Sequence, residues 1–221
     1  MSNRGPIITL LAVVGFAAVL LVLNMTIQSQ TAGQAPATLP QAPSVTTAPE
    51  PPSAPEQATY AGRTSGNEAT IAIAVRGGDA AAYVCDGRRV EAWLEGTITD
   101  GQLSLQGARG AGATGTLGGD AVFGTVSVGG KQWPYSARLA SPPAGLYQGS
   151  GPVNGAPNRI GWIVLPDGSQ VGVWNNNGVR APAPVLDPRA LRAVIVEGAR
   201  IEPRPVTGDT QVVGIAGGPP A

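Results

Sequence analysis

The chain has 221 residues, no histidine, one cysteine and a formal net charge of zero, with 32 glycines and 21 prolines. Without histidine, neither a Ser-His-Asp or Cys-His nucleophile nor a Cys/His zinc site can be assembled within it. The balanced charge, with Lys131 as the only lysine, leaves no basic stripe of the kind that nucleic acid requires.

Residues 1–6 precede an uncharged run from Ile7 to Met25 whose polar members are Thr9 and Asn24. As a helix that run spans ~28 Å, close to the hydrocarbon thickness of a bilayer. Arg4 lies before it and no lysine or arginine follows until Arg63. The positive-inside rule therefore predicts a cytoplasmic N-terminus, a single-pass signal anchor in the cell membrane at 7–25, and an extracytoplasmic remainder. A cleaved signal peptide is the competing reading. The run exceeds the ~7–15 residues of a secretory apolar region, and Pro36 follows the small-x-small candidate Gly33-Gln34-Ala35.

Residues 26–58 are expected to form a disordered Ala/Pro-rich stalk. Between Thr31 and Ala58 stand seven prolines and two charges, Glu50 and Glu56, so this segment has nothing to build a core with. An extended polyproline chain of that length reaches up to ~90 Å.

From 59 to 215 the sequence breaks into short alternating segments separated by glycine turns. Ile71, Ile73 and Val75 share one face, as do Leu103 and Leu105, and Val122, Val126 and Val128. That period of two is the mark of strands with one buried side. Asp86-Gly87, Asp100-Gly101, Gly129-Gly130 and Asp167-Gly168 read as turns, and so do Tyr60-Ala61-Gly62 and Tyr147-Gln148-Gly149. The fold expected is all-β, an antiparallel meander forming a small barrel or sandwich. The fourteen positions from Ile71 to Cys85 equal those from Ile160 to Trp174, which reads either as an internal duplication or as two hairpins of similar length.

After Gly178 the pattern changes. Asp187-Pro188 before Ala-Leu-Arg-Ala-Val predicts an N-capped short helix. Val194 to Ile201 reads as a last strand, Gln211 to Ile215 as an edge segment, and 216–221 as a tail.

Neither a catalytic residue nor a cofactor or metal site is expected. The calcium-loop spacing is missing, and each Asp-Gly pair is accounted for by a turn. Cys85 reads either as a small buried hydrophobe or, outside the membrane, as an intermolecular thiol. Trp93, Trp133, Trp162 and Trp174 fit core and rim positions as well as a sugar platform. The best ligand-binding candidates are Trp162 and the stretch Trp174-Asn175-Asn176, where amides stand beside an aromatic ring. Glu91 and Glu95 lie on one face of one segment, an arrangement that does not define a glycosidase pair.

The anchor, the stalk and a Gly/Ala-rich β domain containing YVCDG, GLYQG and GWIVLPDG together resemble uncharacterised membrane-anchored extracytoplasmic proteins of high-GC Gram-positive, actinobacterial type. The resemblance covers most of the chain and implies a location in the cell envelope, not a set of catalytic residues. The function expected is non-catalytic binding or scaffolding, with the membrane as one partner and another envelope protein or a cell-wall glycan as the other. An envelope hydrolase using carboxylates and a barrel holding a small apolar ligand are the alternatives.

Overall fold

The computed structural model describes residues 55–212. The expected anchor at 7–25, nearly all of the stalk and the tail lie outside them. No helix among the described residues is long and apolar enough to cross a membrane.

Eight strands follow one another: β1 (Gln57–Thr64), β2 (Thr70–Arg76), β3 (Asp79–Cys85), β4 (Glu91–Thr99), β5 (Gln102–Gly107), β6 (Gly112–Gly118), β7 (Ala121–Val128) and β8 (Lys131–Leu139). Each pairs antiparallel with the next, and β8 returns to β1, so the meander closes as an up-and-down barrel. Primed turns make the short connections possible: Gly77-Gly78, Asp100-Gly101 and Gly129-Gly130 all have positive φ at both positions. The alternation seen in the sequence fills the inside. Tyr60, Ile71, Ile73, Val75, Leu94, Leu105, Val122, Val126 and Tyr135 meet there with small alanines between them. Eight strands leave an interior just wide enough for such side chains.

A second sheet, unforeseen from the sequence, lies against the outside of the barrel. Its order is β12 (Val179–Pro182), β11 (Gln170–Asn176), β10 (Ala156–Val164), β9 (Gly145–Val153) and β15 (Arg204–Pro205). Outward-facing Ala61, Ala72, Ala74 and Ala81 keep the barrel wall low enough for Leu146, Ile163 and Val173 to pack against it, with Tyr83, Cys85 and Trp93 in the same layer. The rings of Tyr83 and Trp93 stand 4.2 Å apart between centroids. They press against Gly161 so closely that a Cβ there would meet Tyr83 Cζ at 2.5 Å and Trp93 Cζ2 at 2.7 Å. The other face of this sheet buries Tyr147, Ile160, Trp162 and Val164 under Leu186 and a hairpin of β13 (Val194–Val196) and β14 (Ala199–Ile201).

Several expectations are corrected. Tyr60-Ala61-Gly62 lies inside β1 and Tyr147-Gln148-Gly149 inside β9. Their glycines serve close approach: a Cβ at Gly62 would sit 1.9 Å from the Ser136 carbonyl oxygen, and one at Gly149 2.7 Å from Ile201 Cγ2. The helix after Asp187 is a single turn. The Asp187 carboxylate accepts the Arg189 and Ala190 N–H groups, but Leu191 enters the left-handed region at φ 45° and stops it. One turn cannot repay the cost of helix nucleation. Val194 to Ile201 is a hairpin, because Glu197 and Gly198 both take positive φ. Ile71 pairs with Val84 whereas Ile160 pairs with Trp174, so equal spacing does not give equal register. Gln211 and Val212 form no strand, and 213–215 lie outside the described residues.

Candidate anion-binding pocket

The loops at one end of the barrel, together with the adjoining end of the second sheet, enclose a pocket of about 420 Å³. Its floor is apolar, formed by Val90, Ala92, Ala111, Val128 and Trp133. Its side wall is formed by Glu91 and Trp93 of β4 and by Arg159, Asn175 and Arg180 from β10, β11 and β12. Three exposed cations stand at the rim: Arg89 and Arg109 from two barrel loops and Lys131 from the start of β8.

Local chemistry fixes each loop. The Asp86 carboxylate accepts the N–H groups of Arg88, Arg89 and Val90 at 2.7, 2.7 and 3.0 Å, which folds the segment carrying Arg89 into a rigid turn. Arg109 sits at φ 57° and ψ 33°, followed by Gly110 at φ 72°, in a tight turn closed by the Ala111 N–H donating to the Ala108 carbonyl. A left-handed conformation is uncommon for a long side chain and costs about 1 kcal/mol. Lys131 opens β8 directly after the Gly129-Gly130 turn.

Glu91 ties the wall together. Its side chain is 1% exposed, and its carboxylate lies 3.1 Å from Arg180 Nε and 4.0 Å from Arg159 Nη2. Asn175 Nδ2 donates to it at 2.7 Å and the Tyr83 hydroxyl at 3.5 Å. Asn175 is itself held, since its Oδ1 accepts the Gly178 N–H at 2.9 Å. The Arg159 guanidinium stacks 5.5 Å from the centre of the Trp93 ring. Burial pulls the Arg159 pKa below its ordinary value, with Glu91 opposing that fall. The Tyr83 phenol is pushed well up, first by burial and then by Cys85 and Glu91. Trp93 is 3% exposed, and its indole N–H has no hydrogen-bond partner among the described residues.

Five cations and one carboxylate thus line the pocket. Among the described residues no three carboxylate or thiol ligands converge. A cationic cavity repels metal ions and attracts anions.

Of the residues singled out in the sequence, the structure brings Glu91, Trp93, Trp133 and Asn175 to the pocket and leaves Trp162, Trp174 and Asn176 elsewhere. Trp162 is core, 1% exposed, with its indole N–H donating to the Pro184 carbonyl at 2.8 Å. Trp174 donates to the Asn158 side chain and packs on the far face of the sheet. Strand alternation separates them: on β11, Asn175 points to the barrel while Trp174 and Asn176 point away. Asn176 Oδ1 is buried without a partner among the described residues. Cys85 is fully buried and its thiol is pushed up to about 12, chiefly by burial. An intermolecular disulfide there requires the layer that covers the thiol to open. Glu91 and Glu95 are separated by ~13 Å of strand, and Glu95 accepts the Val212 N–H, so the two carboxylates share no cleft. The cations were the residues missed. Their signal was modest: Arg159, Gly161 and Ile163 alternate toward the barrel, and the only lysine stands at a hairpin tip.

Fold and site together define a small all-β domain, a packed barrel with a flanking sheet and a cationic pocket at the barrel mouth. No family model matches the chain, and neither does any curated protein or solved structure.

Proposed function

We propose that the chain is a non-catalytic binding module of the cell envelope, carried outside the membrane by a signal anchor at 7–25 and the stalk at 26–58, and that it captures an anionic envelope component in the pocket at the barrel mouth. The observation that carries this reading is the set of five cations around an apolar floor with a single, fully engaged carboxylate. Both oxygens of Glu91 are occupied by arginines and an amide, which suits a structural role better than acid–base work. The filled barrel interior favours the mouth over the centre as the place for a ligand. The resemblance to actinobacterial envelope proteins and the charge asymmetry around 7–25 support the location.

Two measurements test it. Protease added to intact cells should cut the stalk and release the domain, and full protection would overturn the topology. Full-length protein in detergent, titrated calorimetrically, should bind a soluble muropeptide with free carboxylates and ignore a neutral chitin oligosaccharide. Equal heats from both, or turnover of either, would defeat the anion-binding reading.

A further inference from the structure

The three rim cations carry the inference further, on the footing of the binding reading above. None of the four ion pairs among the described residues involves Arg89, Arg109 or Lys131. Arg89 and Arg109 come from the connections β3 to β4 and β5 to β6, and Lys131 from the first position of β8, so the three meet at one end of the closed barrel. Arg159 and Arg180 stand behind them, already engaged by Glu91. The pocket therefore carries a surplus of four positive charges over its single carboxylate.

A carboxylate is a poor match for that surplus, because one charge and two oxygens are satisfied by one arginine fork. A phosphate monoester carries about −1.5 to −2 charges and three strong acceptor oxygens near neutral pH, which corresponds to three cations presented separately. A further observation concerns the rest of the ligand. Behind the rim, Val90, Ala92, Ala111, Val128 and Trp133 offer apolar surface that a bare inorganic anion would leave wet. Arg109 is held in a left-handed conformation that asparagine or glycine adopts with less strain, and strain of this kind gathers where a side chain must be aimed.

We infer that the mouth pocket binds a phosphomonoester with an apolar or aromatic body, the phosphate held among Arg89, Arg109 and Lys131 and the body laid against Trp133 and its aliphatic neighbours.

The test uses full-length protein in detergent micelles, titrated calorimetrically with 2-naphthyl phosphate, 2-naphthoate, 2-naphthol and inorganic phosphate. The phosphate ester should bind at least about tenfold tighter than the carboxylate, the alcohol should not bind, and inorganic phosphate should bind more weakly than the ester. Arg109→Asn and Lys131→Gln should each weaken the ester about tenfold without lowering the thermal midpoint, since both side chains are exposed and asparagine fits the left-handed backbone at 109 with less strain. If the carboxylate binds as well as the ester, the phosphate assignment falls while the anion-binding reading stands. Inorganic phosphate equal to the ester would overturn the role of the apolar floor. Were no anion to bind, both readings would fall together.

Discussion

Glu91 and Arg180 are 89 positions apart in the chain and 3.1 Å apart in space, and their ion pair joins the first strand of the pocket wall in the barrel to the outermost strand of the second sheet. The same carboxylate reaches Arg159 and Asn175, so one side chain fastens β4 to β10, β11 and β12. Removing one partner of such a buried set leaves the others uncompensated, which costs more than the set contributes when intact. Glu91→Gln should lower stability by about 3 kcal/mol, as chemical denaturation of the full-length chain would report. A loss under about 0.5 kcal/mol, the scale of an exposed pair, would mean that the two sheets dock on apolar contact alone.

Gly161 faces the paired rings of Tyr83 and Trp93 at distances that no Cβ tolerates. Gly161→Ala should destabilise by about 2 kcal/mol through overpacking. The displaced Trp93 should also change the near-ultraviolet circular dichroism and weaken ligand binding. A variant with unchanged midpoint and spectrum would show that the rings have room to retreat.

Arg109→Gly is expected to raise stability by about 0.5 kcal/mol, because release of about 1 kcal/mol of left-handed strain outweighs the added freedom of glycine in the unfolded chain. Anion affinity should fall at the same time. A melting experiment paired with a titration reads both, and a destabilised variant would show that the Arg109 side chain holds the loop together.

The alkaline limit follows from Cys85. Its ordinary value is 9.0, and burial raises it to about 12 in the folded chain. Below pH 9 the thiol is protonated in both states, so the contribution is complete. Above it the unfolded chain gives up the proton while the folded chain keeps it, and stability falls by up to about 1.4 kcal/mol per pH unit across that window. Burial raises the phenols of Tyr60, Tyr83, Tyr135 and Tyr147 as well, which steepens the decline at higher pH. Urea midpoints from pH 8 to 10.5 would show the slope, and Cys85→Ala should flatten its first part. Rapid modification of the native thiol at pH 8 would contradict the burial.

The barrel was legible because its physics is local. Ile71, Ile73 and Val75, then Leu103 and Leu105, then Val122 and Val126 repeat a period of two, and Asp100-Gly101 and Gly129-Gly130 reverse the chain at the right intervals. Glycine was the ambiguous letter, since Gly62 and Gly149 are spaced like turn residues yet serve backbone and side-chain contact between strands. The pocket was less legible, because its residues come from six strands and three connecting loops. Even so, the alternation that revealed the strands also divides Trp174 and Asn176 from Asn175, and applying it there would have assigned only the last to the barrel side. Glu91 was noticed for its chemistry, but the arginines that engage it lie 68 and 89 positions away in the chain.

Closure of the barrel also decides how this domain can be recognised. Each barrel strand has a hydrogen-bonded neighbour on both sides, so none offers a bare ladder to which an extended peptide might add itself. The second sheet does have borders, and each ends in a short strand closed by proline: four residues finishing at Pro182 on one side, and Arg204-Pro205, directly after Pro203, on the other, where they pair with Gln148 and Tyr147 of β9. Proline has no N–H to extend a sheet. Among the described residues the barrel therefore presents side chains and loop tips to a partner rather than a bare backbone ladder.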